Sequence, residues 1–173
     1  APRAKTTADG DRQGPAVCGA VNPGRDHCCH RDSGSLAPPD DEAVAVSVDG
    51  FGDVSSAAWG LGEGGKITVD GRVFFPHSLG VFYEAMTQFI GFPHYGDEYK
   101  VMGLAPYGEP EYIDAMRRIV GLKKDGTFEL DLRYFCHHLQ KFQYAWESGA
   151  PTVGTLFTPE LEKLLGPVRG KDE

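Results

Sequence analysis

Between residues 76 and 108 the chain reads PHSLGVFYEAMTQFIGFPHYGDEYKVMGLAPYG, and this stretch limits the available folds more than any other. Leu79, Phe82, Tyr83, Met86, Phe89 and Ile90 recur at steps of three and four, which predicts a helix from about Ser78 to Ile90 with one apolar stripe. Ser78 stands where an N-cap hydroxyl meets a free backbone N–H, and Gly91 stands where the helix must stop. The letters around that stripe, HSLG, GDEYK and GLAPYG, neither bury much apolar area nor cap anything by default, so they are candidates for chemistry.

The residues before this block supply strands. AVAVSV at 43–48 is a short β-branched run, expected as a central strand buried on both faces and closed by the turn residues Asp49-Gly50. Short strands are expected at Val54–Leu61, Lys66–Val69 and Arg72–Phe75, with a loop at Gly62–Gly65 and a hairpin turn at Asp70-Gly71. Together they predict an antiparallel meander.

After the block, Tyr112, Ile113, Met116, Ile119 and Val120 form a second amphipathic stripe, opened by Pro110 and ended at Gly121, a residue suited to the C′ position. Asp125-Gly126 leads into TFELDL, whose alternation fits a half-exposed strand, and a last helix is expected at Pro159–Leu165 with Thr158 as N-cap. The class is α/β, a short β-meander packed with amphipathic helices, over residues 41–173. Residues 1–40, rich in Gly, Pro, Arg and Asp without apolar periodicity, are expected to be an atypical, poorly ordered segment.

Charge excludes some functions. With 17 Lys and Arg against 25 Asp and Glu, the net charge of −8 argues against nucleic acid as a partner, since such binding needs clustered cations to replace counterions. No run approaches the roughly eighteen apolar residues of a membrane span, and APRAKTTADGDRQGP lacks the apolar core of a signal peptide. No membrane partner and a cytoplasmic location are the expectation. Cys18, Cys28, Cys29 and Cys136 are too irregularly spaced for a disulfide scaffold and are expected as free thiols.

Taken alone, each candidate motif has an ordinary explanation. DGFGD at 49–53 places two glycines where backbone N–H groups approach an anion, yet by itself it is a turn between strands. Ser78 needs no role beyond its cap, whereas His77 has no capping duty and stands at a helix N-terminus, where anions are favoured. Lys100 is an isolated cation that would neutralise a polyphosphate; Glu98 would hold it, orient a ribose or reach a metal through water. A surface ion pair is the bland version. Gly103 and Gly108 frame this segment as a loop open to close approach, and Cys136-His137-His138 meets no ligand spacing and is expected in an exposed loop.

The blocks DGFGD, FPHSLGVFYEAMT, GDEYKVMGLAPYG and DGTFELDLRYF follow in an order that resembles, from about Asp41 to Glu173, the O-carbamoyltransferase family. That family includes nodulation protein U and the carbamoyltransferases of the tobramycin and cephamycin pathways. The resemblance implies part of an N-terminal catalytic domain of the actin-like ATPase type, related to threonylcarbamoyl-forming enzymes. It implies a carbamoyltransferase that makes carbamoyl-adenylate from carbamoyl phosphate and ATP, then passes the carbamoyl group to a hydroxyl of a small-molecule or sugar acceptor. Residue by residue, it places Gly50, Gly52, Ser55, Glu98 and Gly103 near the nucleotide and makes His77 and Lys100 orient the acceptor or the carbamoyl group. It makes Asp49 a ligand of a divalent metal (Fe, Mn or Mg), with the aligned Asp26 and His30 completing the set; Asp26 replaces a histidine of the family pattern and favours harder ions. The chain is much shorter than a full member. It is therefore expected either to work with the missing remainder of the enzyme or to be a non-catalytic nucleotide- or partner-binding remnant.

Overall fold

Alternation decides how the first strands sit. In the computed structural model, which describes residues 42–50, 54–63, 66–139, 145–147 and 150–170, β1 (Glu42–Val48), β2 (Ser55–Glu63) and β3 (Lys66–Phe74) form an antiparallel sheet in that order. The meander is as expected, but β1 lies at its edge and not at its centre. Val44, Val46 and Val48 point to one face, where they are 75%, 65% and 53% exposed, while Ala43, Ala45 and Ser47 turn inward. A two-residue period separates large from small side chains here, and the small ones are those covered. The central strand is β2, whose Ser55, Ser56, Ala57 and Ala58 are all buried.

Asp70-Gly71 is not a hairpin turn; β3 runs straight through it. Val69 pairs with Gly60 and Gly71 with Trp59, so Asp70 is an extra residue in a bulge. A Cβ at Gly71 would overlap the Trp59 indole, so glycine is there for close approach and not for a reversal.

The chain then passes Phe75-Pro76 into α1 (Leu79–Phe89). Ser78 caps it as expected, its hydroxyl accepting from the Val81 N–H at 3.1 Å, and Gly91 ends it with a φ of +93°. The expected stripe is one of two buried faces. Phe82, Ala85, Met86, Phe89 and Ile90 join a core built with Ile119, Leu130, Phe135, Val153, Leu156 and Leu161. Val81, Glu84 and Thr87 are buried as well, so a helix read as one-sided is covered on more than one flank.

The GDEYKVMGLAPYG segment is not a loop. Glu98–Leu104 forms α2, followed by a 3-10 turn at Ala105–Tyr107, and Gly103 sits in the last turn of the helix. Glu, Tyr, Lys, Met and Leu form helix well enough to outweigh one glycine. The second stripe becomes α3 (Ile113–Ile119), and β4 (Val120–Leu122) follows at once. Gly121 is consequently a strand residue opposite Glu129 and not a helix C′. The Asp125-Gly126 turn, with Gly126 at φ +83°, joins β4 to β5 (Phe128–Leu130), as its sequence implied.

A 3-10 turn at Leu132–Tyr134, the pair β6 (Ala145–Glu147) and β7 (Ala150–Thr152), and α4 (Pro159–Leu165) complete the described chain. The bounds of α4 are those read from sequence. Thr158 occupies its N-cap position, yet its hydroxyl donates to the Arg133 carbonyl at 2.6 Å and does not cap. The order expected of residues 1–40 concerns a segment outside the described residues.

Candidate functional site

The end of β1 is held hard against the beginning of α1. The Asp49 N–H donates to Ser56 O at 2.9 Å, and the Ser78 hydroxyl lies 2.9 Å from Asp49 O and 2.7 Å from Gly50 O. Gly80 makes this approach possible, because a Cβ there would overlap the backbone of Gly50. Asp49 Oδ1 accepts from the Gly50 N–H at 2.7 Å, folding the carboxylate back over its own turn.

Beside this junction opens a cleft of about 400 Å³, lined by Asp49, Gly50, Gly80, Tyr83, Glu84, Tyr95, Gly96 and Glu98. Tyr83 links α1 to the start of α2 by donating its phenol to the Glu98 carbonyl at 3.4 Å. Gly96, at φ +92°, allows the turn that brings Glu98 round. Glu84 is 5% exposed and its Oε1 finds no donor among the described residues. Burial, and then the charge of Glu98, push its carboxyl up to about 7.

The structure thus brings together Asp49, Gly50 and Glu98 of the residues expected in the site. Lys100 does not line the cleft. Its ammonium pairs with Asp97 at 2.6 Å and lies 5.4 Å from the centre of the Phe92 ring, and the Asp97 hydrogen bond raises its pKa. His77 also lies outside the lining: its Nδ1 accepts from the Leu130 N–H at 3.1 Å, and its carbonyl accepts from the Ser56 hydroxyl. Burial first, then Lys123, lower the His77 pKa against an opposing pull from Glu129. Ser55 is buried, with its hydroxyl 3.0 Å from Ala57 O, and Gly103 is exposed on α2. Gly52, Asp26 and His30 lie outside the described residues, among which no group of three His, Cys, Asp or Glu is placed to hold a metal ion.

The segment Cys136-His137-His138 is not an exposed loop. His137 is 1% exposed, with Nε2 at 2.7 Å from Pro76 O and the ring edge-on to Phe75 and Phe135. Burial is the first cause lowering its pKa, so the neutral ring donates through Nε2 and leaves Nδ1 as an unprotonated acceptor. Two histidines therefore brace Pro76 and β5 around the entry to α1, a packing role that composition alone hides.

The residues missed by sequence reasoning are Gly80, Tyr83, Glu84, Tyr95 and Gly96 as lining groups. One signal was available: Gly80 and Glu84 are four apart, on a helix flank that the apolar stripe leaves out.

Residues 19–145, well over half of the chain, match the family model described as carbamoyltransferase N-terminus. The chain belongs to this carbamoyltransferase family. It is 43% identical over 110 residues to a Synechocystis protein named sll1178, covering 63% of this chain and 18% of that one. Nodulation protein NolO of Bradyrhizobium diazoefficiens is 36% identical over 95 residues, covering 53% of this chain and 17% of its own. Nodulation protein NolNO of Sinorhizobium fredii is 30% identical over 107 residues, covering 61% and 16%. The chain spans less than a fifth of the length of these relatives.

Proposed function

We propose that this chain supplies part of the N-terminal lobe of an O-carbamoyltransferase of the actin-like ATPase type. In this reading water releases phosphate from carbamoyl phosphate to leave carbamate, a carbamate oxygen displaces pyrophosphate from the α-phosphorus of ATP to give carbamoyl-adenylate, and an acceptor hydroxyl then takes the carbamoyl group. The new bond joins the hydroxyl oxygen to the carbamoyl carbon, the bond from that carbon to the adenylate phosphate breaks, and AMP leaves. The observation carrying this is that the matched family region contains a backbone turn, Asp49-Gly50, pressed onto a helix N-terminus beside an open cleft. The Asp49 N–H is taken by Ser56 O, so in this reading the Gly50 N–H is the group that turns to an anion when Asp49 Oδ1 leaves it for the metal.

The residues divide the work as follows. Gly50 and Gly52 let a phosphate approach the backbone. Asp49, with Asp26 and His30, would hold a divalent ion, Fe²⁺, Mn²⁺ or Mg²⁺, whose charge would offset that developing on phosphate oxygens. The oxygen of Asp49 suits any of these ions. His77 and Lys100 act as positioning residues: His77 keeps the β4–β5 hairpin under the start of α1, and Lys100 holds Asp97 ahead of α2.

Titration calorimetry of the chain with ATP and Mn²⁺, followed by an assay for carbamoyl phosphate-dependent pyrophosphate release, tests the proposal. Binding that disappears in Asp49→Ala supports the lobe assignment. Binding without pyrophosphate release assigns this chain the role of a nucleotide-binding part that needs the rest of the enzyme. Absence of ATP and metal binding overturns it.

A further inference from the structure

One buried ring grips the segment that carries the Asp49-Gly50 turn. Pro76, His77 and Ser78 lead into α1, and each is tied to a different part of the chain. The His137 ring donates to Pro76 O, the Ser56 hydroxyl donates to His77 O, and the Ser78 hydroxyl meets the carbonyls of Asp49 and Gly50. Ser56 closes the circuit, because its own carbonyl accepts from the Asp49 N–H. A displacement of Pro76 therefore reaches the turn by two routes, through Ser78 and through Ser56.

His137 suits its place in one protonation state only. The neutral ring donates through Nε2 at 2.7 Å, while Nδ1 is enclosed and has no partner among the described residues. A proton on Nδ1 would be a buried donor with nothing to accept it. The neighbours give no relief. Phe75 and Phe135 meet the ring edge-on, and the titratable groups acting on it are two more imidazoles, His77 at the entry to α1 and His138 at 5.6 Å between ring centres. Cys136 on the same segment turns to Thr155 O, and Glu129 and Lys123, paired with each other at 2.9 Å, act on His77. The Pro76 carbonyl favours the charged ring, but burial outweighs it.

We infer that His137 is a positioning residue of the Asp49-Gly50 turn and an acid-sensitive latch on it: neutral, it pins Pro76 and the turn with it; protonated, it leaves its pocket and lets both move. The ring takes its proton once outside, where the ordinary basicity of an imidazole returns. Falling pH therefore draws the segment from latched to released while the core around Ile119 and Leu161 stays packed. The inference rests on the proposed function only for what the turn holds.

The test is an NMR pH titration of the full chain from pH 8 to pH 5, following the His137 ring nitrogens and the amides of Asp49, Ser78 and Val81. The ring should titrate below its ordinary 6.5, and the three amides should shift with its midpoint while the Ile90 amide, at the far end of α1, holds its place. Glu84, at about 7, gives the amides beside its cleft a separate, earlier step. In His137→Gln, whose side-chain amide donates to Pro76 O without titrating, the lower step should vanish and the earlier one remain. His77→Asn, whose side-chain oxygen accepts from the Leu130 N–H, should keep both. In His137→Ala the amides should stand at their released positions already at pH 8; if that variant does not fold, the wild-type and His137→Gln titrations decide by themselves. Amides that ignore the His137 midpoint, a lower step that survives His137→Gln or is lost in His77→Asn, or acid that unfolds the whole chain at once, Ile90 included, would each overturn the latch. No ligand is present in the experiment, so its failure leaves carbamoyl transfer standing, and absent ATP binding leaves the latch standing.

Discussion

A buried carboxyl beside another acid gives up its proton late, and Glu84, at about 7 against an ordinary 4.5, keeps one over a range in which an unfolded glutamate has lost it. The folded chain therefore binds more protons than the unfolded chain between those values. Its stability from this group is complete below pH 4.5 and falls as pH rises through 7. The loss is about 2 kcal/mol once solvent screening on the open side of the cleft is allowed for. His77 and His137, both lowered by burial, act in the opposite direction, losing stability as pH falls through their ordinary value of 6.5. Urea unfolding of wild type and Glu84→Gln across pH 4.5 to 8 separates the two effects, because the histidine contributions cancel in the difference. That difference should grow in favour of the variant by about 2 kcal/mol as pH rises; a flat difference would show that Glu84 is not buried as described. Gly80→Ala is the second residue-scale prediction. Its Cβ meets backbone and not a flexible side chain, so about 1–3 kcal/mol should be lost, with the cleft amides shifted, read by denaturation and NMR.

At the scale of elements, the entry to α1 joins three functions in one serine. Ser78 satisfies the Val81 N–H, holds the carbonyls of Asp49 and Gly50, and thereby keeps the strand end on the helix. Ser78→Ala should cost about 1–2 kcal/mol as a lost cap. Amide exchange at Val81 should accelerate, and exchange within α4 should keep its rank. The cap and the stop at Gly91 were legible because both are local chemistry, as were the bounds of α4 and the Asp125-Gly126 turn. The Asp70-Gly71 bulge was not, since the same dipeptide serves a reversal or a close approach, and only the Trp59 ring opposite distinguishes them. Gly121 misled for a similar reason: it ends nothing, because pairing with Glu129 continues the chain as a strand. His137 was read as exposed because the Cys136-His137-His138 triplet meets no ligand spacing, whereas Pro76, Phe75 and Phe135 surround it in space.

Over the whole molecule, the described residues leave an apolar face on β1 and an open apolar groove of about 580 Å³ between α1, α3 and β4, lined by residues such as Phe82, Ile113 and Met116. An edge strand with three exposed valines invites pairing with another copy. Val46→Lys should therefore reduce self-association in light scattering while changing the melting temperature little; unchanged association would place the sticky surface elsewhere. Sequence by itself determined the antiparallel meander, three of the four helices and the family, because periodicity, caps and ordered motif blocks are carried by neighbouring residues. It also named Asp49, Gly50 and Glu98. Only the tertiary structure decided that β1 is an edge, that Lys100 belongs to Asp97, and that Glu84 joins Asp49 and Glu98 in one cleft. Those outcomes depend on which faces meet after the chain has turned through Gly91 and Gly96, and burial and charge at a point in space are sums over residues that sequence order keeps apart.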